Sequence, residues 1–170
     1  REPGLQPLYN AAGVLLNDSR ILELLAKRDG KALPASPGAD VVEGLLTRVI
    51  GKDEPIVVIG CSAEDIAAVK ARFGLSDVRW YDAPMGLRTN HEAVAACAEF
   101  MANNPARFHF LCVGGPQQEM VASAALKRGD VKGVGLCCGA SFDFLTGKTA
   151  RAPKWMRQSR LEWLHRLGSE

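Results

Sequence analysis

From Glu54 to Gly139 the chain alternates short β-branched or aromatic runs with segments of helical period, and this alternation limits it to very few folds. "EPIVVIG" (54–60) is a buried-strand pattern, and "SAEDIAAVKARFG" (62–74) follows as a helix that Ser62 can cap and Gly74 can end. "DVRWYDAP" and "RFHFLCVGG" read as further strands, each followed by a helix: "NHEAVAACAEFMANN" with Asn90 as cap, and "PQQEMVASAALKRG" opened by Pro116 at its first position. "VKGVGLCCG" is then another strand. Repeated strand-helix units with apolar strands imply a largely parallel sheet covered on both faces by helices, hence a three-layer, Rossmann-like α/β fold. At 170 residues such a core fills the chain, so 1–170 is expected to be a single domain.

In such sheets ligands sit at the carboxyl ends of the strands. Those ends fall at Gly60-Cys61-Ser62, Gly114-Gly115-Pro116 and Gly139-Ala140-Ser141. The glycine pair at 114–115 lets a ligand approach the backbone, and the following helix offers free N–H groups to an anion; the same residues also suit a tight strand-to-helix turn. Gly133, Gly135 and Gly139 invite a dinucleotide reading, but the spacing is not G-x-G-x-x-G and no acid lies about 20 residues on to hold a ribose.

The charge is uneven. Net charge is +2, yet "GKTARAPKWMRQSRLEWLHRL" (147–167) holds six basic residues and one acid, so the remainder sums to −3. A basic end on a mildly acidic body fits an anionic partner, whether a diphosphate, a membrane surface or nucleic acid, or else a solvated helix face. On a helix over 154–167, Met156, Trp163, Leu164 and Leu167 share one side while Lys154 and Arg157 point away, giving a basic amphipathic helix. Its aromatics lie on the apolar side rather than interleaved as a stacking platform, which speaks against nucleic acid. No run approaches the ~18 apolar residues of a membrane span. Five cysteines without metal-ligand spacing read as reduced, mostly buried thiols, and His91 and His109 as structural. No Asp-x-Asp occurs, and neither a metal nor another cofactor is expected.

"GGPQQE" (114–119), "GASFDFLTGKTARAPKW" (139–155) and "LEWLHRL" (161–167) resemble the WecG/TagA/CpsF glycosyltransferase family (glycosyltransferase family 26), whose members show G-x-P-K-Q-E, F-D-x-x-x-G with R-A-P, and L-E-W-L-x-R-L. Upstream, "AAGVLLNDSRILELLAKRDGKALPASPGADVVEGLL" (11–46) is similar to the family's apolar run, P-D-G, helix and G-[ST]-D. The resemblance implies inverting transfer from a UDP-sugar to a polyprenyl diphosphate-linked saccharide in bacterial surface or exopolysaccharide synthesis, at the inner, cytoplasmic face of the membrane. It implies a segment ahead of this start and a basic appendage beyond this end, so the chain is expected to be truncated at both. Assembly into a homo-oligomer is left open.

Asp18 matches the family's catalytic aspartate, which takes the proton of the acceptor hydroxyl; the other reading of Asp18 is a cap for a helix over 19–27. Substrate contacts are carried over to Asn17, Asp40, Gly60, Gly114, Gly115, Gln118 and Arg151. Gln118 would hydrogen-bond sugar or phosphate, or simply face solvent. Arg151 would grip phosphate with two N–H groups, or pair with Asp143. The chain departs from the pattern at Gln117 for lysine, at Asn17-Asp18-Ser19 for P-D-G, and in lacking an arginine just before Gly38-Ala39-Asp40, which bears on donor recognition. A binding module that holds a nucleotide or sugar phosphate without catalysis would keep the glycine loops but would not need Asp18.

Overall fold

A computed structural model describes residues 5–148; Arg151 and the basic segment 154–167 lie outside the described residues. The three strand-helix units and the fourth strand read from the sequence are all present, and a short helix that the sequence reading did not single out follows the last strand. Strand β1 (Ile56–Ile59) leads to α4 (Ala63–Phe73), β2 (Val78–Tyr81) to α5 (His91–Asn103), β3 (Phe108–Leu111) to α6 (Gln117–Arg128), and β4 (Val134–Cys137) to α7 (Ser141–Thr146). Three helices precede them: α1 (Gln6–Asn10), α2 (Arg20–Arg28) and α3 (Gly38–Arg48). The strands form one parallel sheet in the order β2-β1-β3-β4.

Central β1 is buried at all four residues, because helices cover both faces. Val57, Ile59 and Leu111 pack with Val94, Cys97 and Met101 of α5 and Val121 and Ala125 of α6. Ile56, Val58 and Phe110 face the other way, onto Val42 and Leu46 of α3, Ile66 and Val69 of α4, and Phe142 and Leu145 of α7. The Phe110 and Phe142 rings lie 5.5 Å apart. Each such side chain removed from water contributes about 1.5–3 kcal/mol, so this period-two division makes the sandwich cohere. The fold is therefore the three-layer α/β arrangement expected.

Local signals set the helix ends. Ser62 and Asp65 form a reciprocal capping box at α4, and Gly74 closes that helix at φ +68°. The Asn90 side chain accepts the Ala93 N–H at 3.0 Å. Helix α6 begins one residue later than the sequence implies, with Pro116 as the N-cap behind a cis Gly115–Pro116 bond. Of the five thiols only Cys97 is buried outright, so the expectation of mostly buried cysteines fails: Cys61, Cys112 and Cys138 are half-buried in the loops after their strands, and Cys137 is exposed on β4, which among the described residues has a strand neighbour on one side only. His91 starts α5 at the surface, whereas His109 is fully buried, its Nε2 lying between the carbonyls of Ala106 and Lys132.

Gly133, at φ +109°, shows why the last strand is glycine-rich: a Cβ there would come within 2.2 Å of the Ala106 carbonyl oxygen. The glycine serves close backbone packing at the opposite end of the strand from any ligand.

Candidate active site

The chain leaves β1 toward β2 on one side and resumes at β3 on the other, so the strand order switches between β1 and β3. In parallel α/β sheets such a point is where a ligand crevice is expected, outside the carboxyl ends of the two strands. Its walls are the loops after β1 and after β3, which hold Gly60, Gly114 and Gly115. Gly60 is buried at φ +89°, and a Cβ on it would meet Val113 Cγ1 at 2.7 Å and the Cys112 carbonyl carbon at 3.2 Å. Its carbonyl accepts the Trp80 Nε1–H at 2.8 Å. Cys61 follows at φ +67°, a left-handed conformation in which a side chain carries strain. Gly114 and Gly115 are exposed, and the Gly114 carbonyl accepts the N–H groups of Gln117 and Gln118 at the start of α6.

Gln118 does not simply face solvent. Its Oε1 accepts the Gly139 N–H at 2.8 Å and its Nε2 donates to Glu119 at 3.0 Å, tying the loop after β3 to the loop after β4. Gly38, at the start of α3, abuts that second loop: a Cβ on it would lie 3.3 Å from Ser141 Oγ and 4.0 Å from the Cys138 carbonyl oxygen. Asp18 Oδ1 accepts the Gly38 N–H at 3.2 Å. The structure thus links Asp18, Gly38, the 138–141 turn and Gln118 into one stretch of the carboxyl edge, although Asp18 and Ser141 lie 123 residues apart along the chain.

The helix-cap reading of Asp18 is overturned, since Ser19 caps α2 by accepting the Leu22 N–H at 3.2 Å. Asp18 is exposed, and it sits instead at the N-terminus of α3, where the helix dipole favours a carboxylate. Asn17 orients it. Its Oδ1 accepts the Ser19 N–H, its Nδ2 donates to the carbonyls of Ser19 and Leu33, and its own carbonyl accepts the Ser36 N–H. With its side chain so engaged, Asn17 shapes the loop that presents Asp18. Asp40 lies in the first turn of α3, half-buried.

A polar cluster beside the crevice was not singled out from the sequence. Asp65, 4% exposed, accepts from Ser62 Oγ at 2.5 Å and Thr146 Oγ1 at 3.2 Å and pairs with Lys148 Nζ at 2.9 Å. Burial works against its charge, but the Ser62 hydroxyl and the Lys148 ammonium outweigh it and hold Asp65 at about 2. Neighbouring Asp143 is raised, first by burial and then by the Asp65 charge. Ser62-x-x-Asp65 signalled the cap; nothing local signalled Lys148, 83 residues on. Because Asp65 titrates lower folded than the usual 3.8, its stabilisation is present above about pH 4 and is lost as pH falls through about 2. Wild type is thus expected to be more stable than Asp65→Asn by about 2 kcal/mol at neutral pH, with the difference shrinking between pH 4 and 2. Urea melts of both proteins across that range test it, and a constant difference would refute it.

Cys112 and Cys138, at the ends of β3 and β4, lie with Sγ atoms 3.6 Å apart, and burial pushes the Cys112 thiol well up, so it stays neutral. Among the described residues no three His, Cys, Asp or Glu side chains come together as a metal site, and no helix is long and apolar enough to cross a membrane.

Comparison with known protein families matches the glycosyl transferase WecG/TagA/CpsF family over residues 1–170. That match spans the crevice, the Asp18 loop and the Gln118 clamp together, and the chain belongs to the WecG/TagA/CpsF family of glycosyltransferases.

Proposed function

We propose that this glycosyltransferase moves a sugar from a UDP-sugar to a polyprenyl diphosphate-linked saccharide, with inversion, in bacterial surface or exopolysaccharide synthesis. The observation that carries the reading is the exposed Asp18 carboxylate, fixed through Gly38 at the same sheet edge as the switch-point glycines. One Asp18 oxygen is held by Gly38 N–H; among the described residues the other has no protein partner and is free to take a proton. In the proposed step the acceptor hydroxyl attacks the anomeric carbon from the face opposite UDP, and its proton passes to Asp18. The C–O bond to UDP breaks through an oxocarbenium-like transition state, and the nucleotide leaves with its electron pair.

The departing diphosphate needs positive potential. The exposed Gly114-Gly115 turn and the positive end of the α6 dipole offer part of it, and from the sequence alone Arg151 adds a guanidinium. Gln118 holds the turn in place, and contact with the sugar is proposed for it alongside Asp40. The basic segment 154–167, read as an amphipathic helix from its sequence alone, would keep the protein on the anionic inner face of the membrane, where the lipid-linked acceptor resides.

The test is release of UDP from a panel of UDP-sugars with a lipid diphosphate-saccharide acceptor, scored for anomeric configuration. Turnover is expected to survive excess EDTA, because no Asp-x-Asp is present to hold a metal. Loss in EDTA with recovery on magnesium or manganese would show a metal-dependent transferase. UDP binding without any transfer would instead mark a binding module.

A further inference from the structure

Three half-buried thiols stand at the carboxyl edge of the sheet, in the loops after β1, β3 and β4: Cys61, Cys112 and Cys138. The proposed transfer step uses none of them. Strand register brings two together. Leu111 pairs with Cys137 in the parallel ladder of β3 and β4, so the next residues, Cys112 and Cys138, stand side by side. The Cys138 N–H still donates to the Leu111 carbonyl at 3.1 Å, which carries the ladder past the strand ends. Neighbouring strands lie about 4.8 Å apart, inside the ~4.4–6.8 Å between Cα atoms that a disulfide spans. The two Sγ atoms are already 3.6 Å apart.

The other pairings are placed less well. Cys138 packs with Cys112 on the core of Phe110 and Phe142, whereas Cys137, one residue earlier on the strand, leaves on the opposite face. Cys61 flanks Cys112 on the β1 side but is out of register: Ile59 pairs with Leu111, which sets Gly60 rather than Cys61 opposite Cys112. Burial first, and then the thiols of Cys138 and Cys61, keep Cys112 neutral. A neutral buried thiol is a poor first target for an oxidant, so attack begins at Cys138 and Cys112 resolves it.

We infer that Cys112 and Cys138 are a modification site for hydroperoxides, closing into a reversible disulfide that acts as a redox switch on the donor crevice between β1 and β3; the switching rests on the transferase reading above. A hydroperoxide is small enough to reach a half-buried sulfur. The Cys138 sulfur attacks the peroxide oxygen, the O–O bond breaks, and the alcohol or water that leaves carries off the thiol proton. The Cys112 sulfur then attacks the resulting sulfenic sulfur, the S–O bond breaks, and water leaves with the Cys112 proton. The two thiols have lost two electrons and the peroxide has gained them. Closure draws the sulfurs from 3.6 Å to about 2.05 Å, and both ends feed the site. Cys112 leads through Val113 to the Gly114-Gly115 turn, and Cys138 leads to Gly139, whose N–H anchors Gln118 at 2.8 Å. There is no slack on the β1 side, where a Cβ on Gly60 would meet the Cys112 carbonyl carbon at 3.2 Å. The displacement therefore passes to the turn that receives the donor's diphosphate.

The experiment treats the whole folded chain with limiting hydrogen peroxide and then with dithiothreitol, counting free thiols after unfolding and mapping the joined peptides by mass. Oxidation is expected to leave three of the five thiols, with Cys112 bonded to Cys138, and dithiothreitol to restore all five. UDP affinity of the oxidised chain is expected to fall roughly 10-fold, the worth of one or two hydrogen bonds, and to recover on reduction. Cys138→Ser should keep its UDP affinity through the same treatment, while Cys137→Ala should form the bond like wild type. The wild-type peptide map decides the bond even where a variant folds poorly. Five thiols after peroxide, or a bond to Cys61 or Cys137 in place of this one, overturns the site. A Cys112–Cys138 bond that leaves UDP affinity unchanged overturns the switch. A reduced chain that binds no UDP counts instead against the donor reading, and the thiol count and map then decide the disulfide on their own.

Discussion

Asp18→Asn is expected to lower kcat by roughly 10²-fold or more, the usual worth of general-base catalysis, with UDP-sugar affinity nearly unchanged. The structure makes this a clean substitution. Asparagine keeps an oxygen that can accept the Gly38 N–H, so the start of α3 retains its partner. Ser19, not Asp18, caps α2, so no helix end is lost. Stability should therefore change by less than about 1 kcal/mol, and a kinetic loss cannot be assigned to unfolding. The readout is turnover per folded molecule, with UDP-sugar binding measured in parallel. Normal turnover in the variant would remove Asp18 from the chemistry. A stability loss of several kcal/mol with unchanged turnover would give Asp18 a purely architectural role, as the anchor between the 17–19 loop and α3.

The sequence and the structure agree where the determining interaction is short in range. The Ser62 box, the Gly74 stop and the Asn90 cap each act within four residues, and each stands where the pattern put it. The layers were legible for the same reason, since a run such as Ile56–Ile59 has no polar face to offer water. Asp18 shows where legibility ended. An acid and a serine stand side by side at 18–19, both residue types cap helices, and only the fold reveals that Ser19 takes α2 while Asp18 reaches Gly38, 20 residues away. The partner of Gln118 is 21 residues on, and that of Asp65 is 83 residues on. Strand order is equally nonlocal. The three loops at the carboxyl edge were legible as candidates, yet nothing in their residues says that β1 and β3 are neighbours and that the crevice lies between them. The glycines at 133–139 misdirect a motif search because one of them answers to a carbonyl, Ala106, in a different loop.

Gly60→Ala is expected to damage fold and site together, because that crevice depends on an absent side chain. At φ +89° an L-residue is strained by about 1–3 kcal/mol before any contact is considered. The added Cβ would then lie 2.7 Å from Val113 Cγ1 and 3.2 to 3.3 Å from the Cys112 carbonyl group. Cys112 cannot yield easily, since its N–H is held at 2.8 Å by the Ile59 carbonyl in the ladder between β1 and β3. Overpacking of this kind costs a further ~1–3 kcal/mol. The expected sum of about 2–6 kcal/mol is comparable to a large part of the stability of a domain this size. Relief can come only from parting the loops after β1 and β3, which would shift Val113 and the Gly114-Gly115 turn that follows it. UDP affinity should therefore fall in the fraction that remains folded, whereas Gly114→Ala, with nothing within 4 Å of its built Cβ, should leave stability nearly intact. Chemical denaturation of both variants and UDP titration at a temperature where each is folded test this pair. A Gly60→Ala protein as stable as wild type and binding UDP normally would mean that the two loops give way freely, and that the crevice is not the rigid donor site proposed for it.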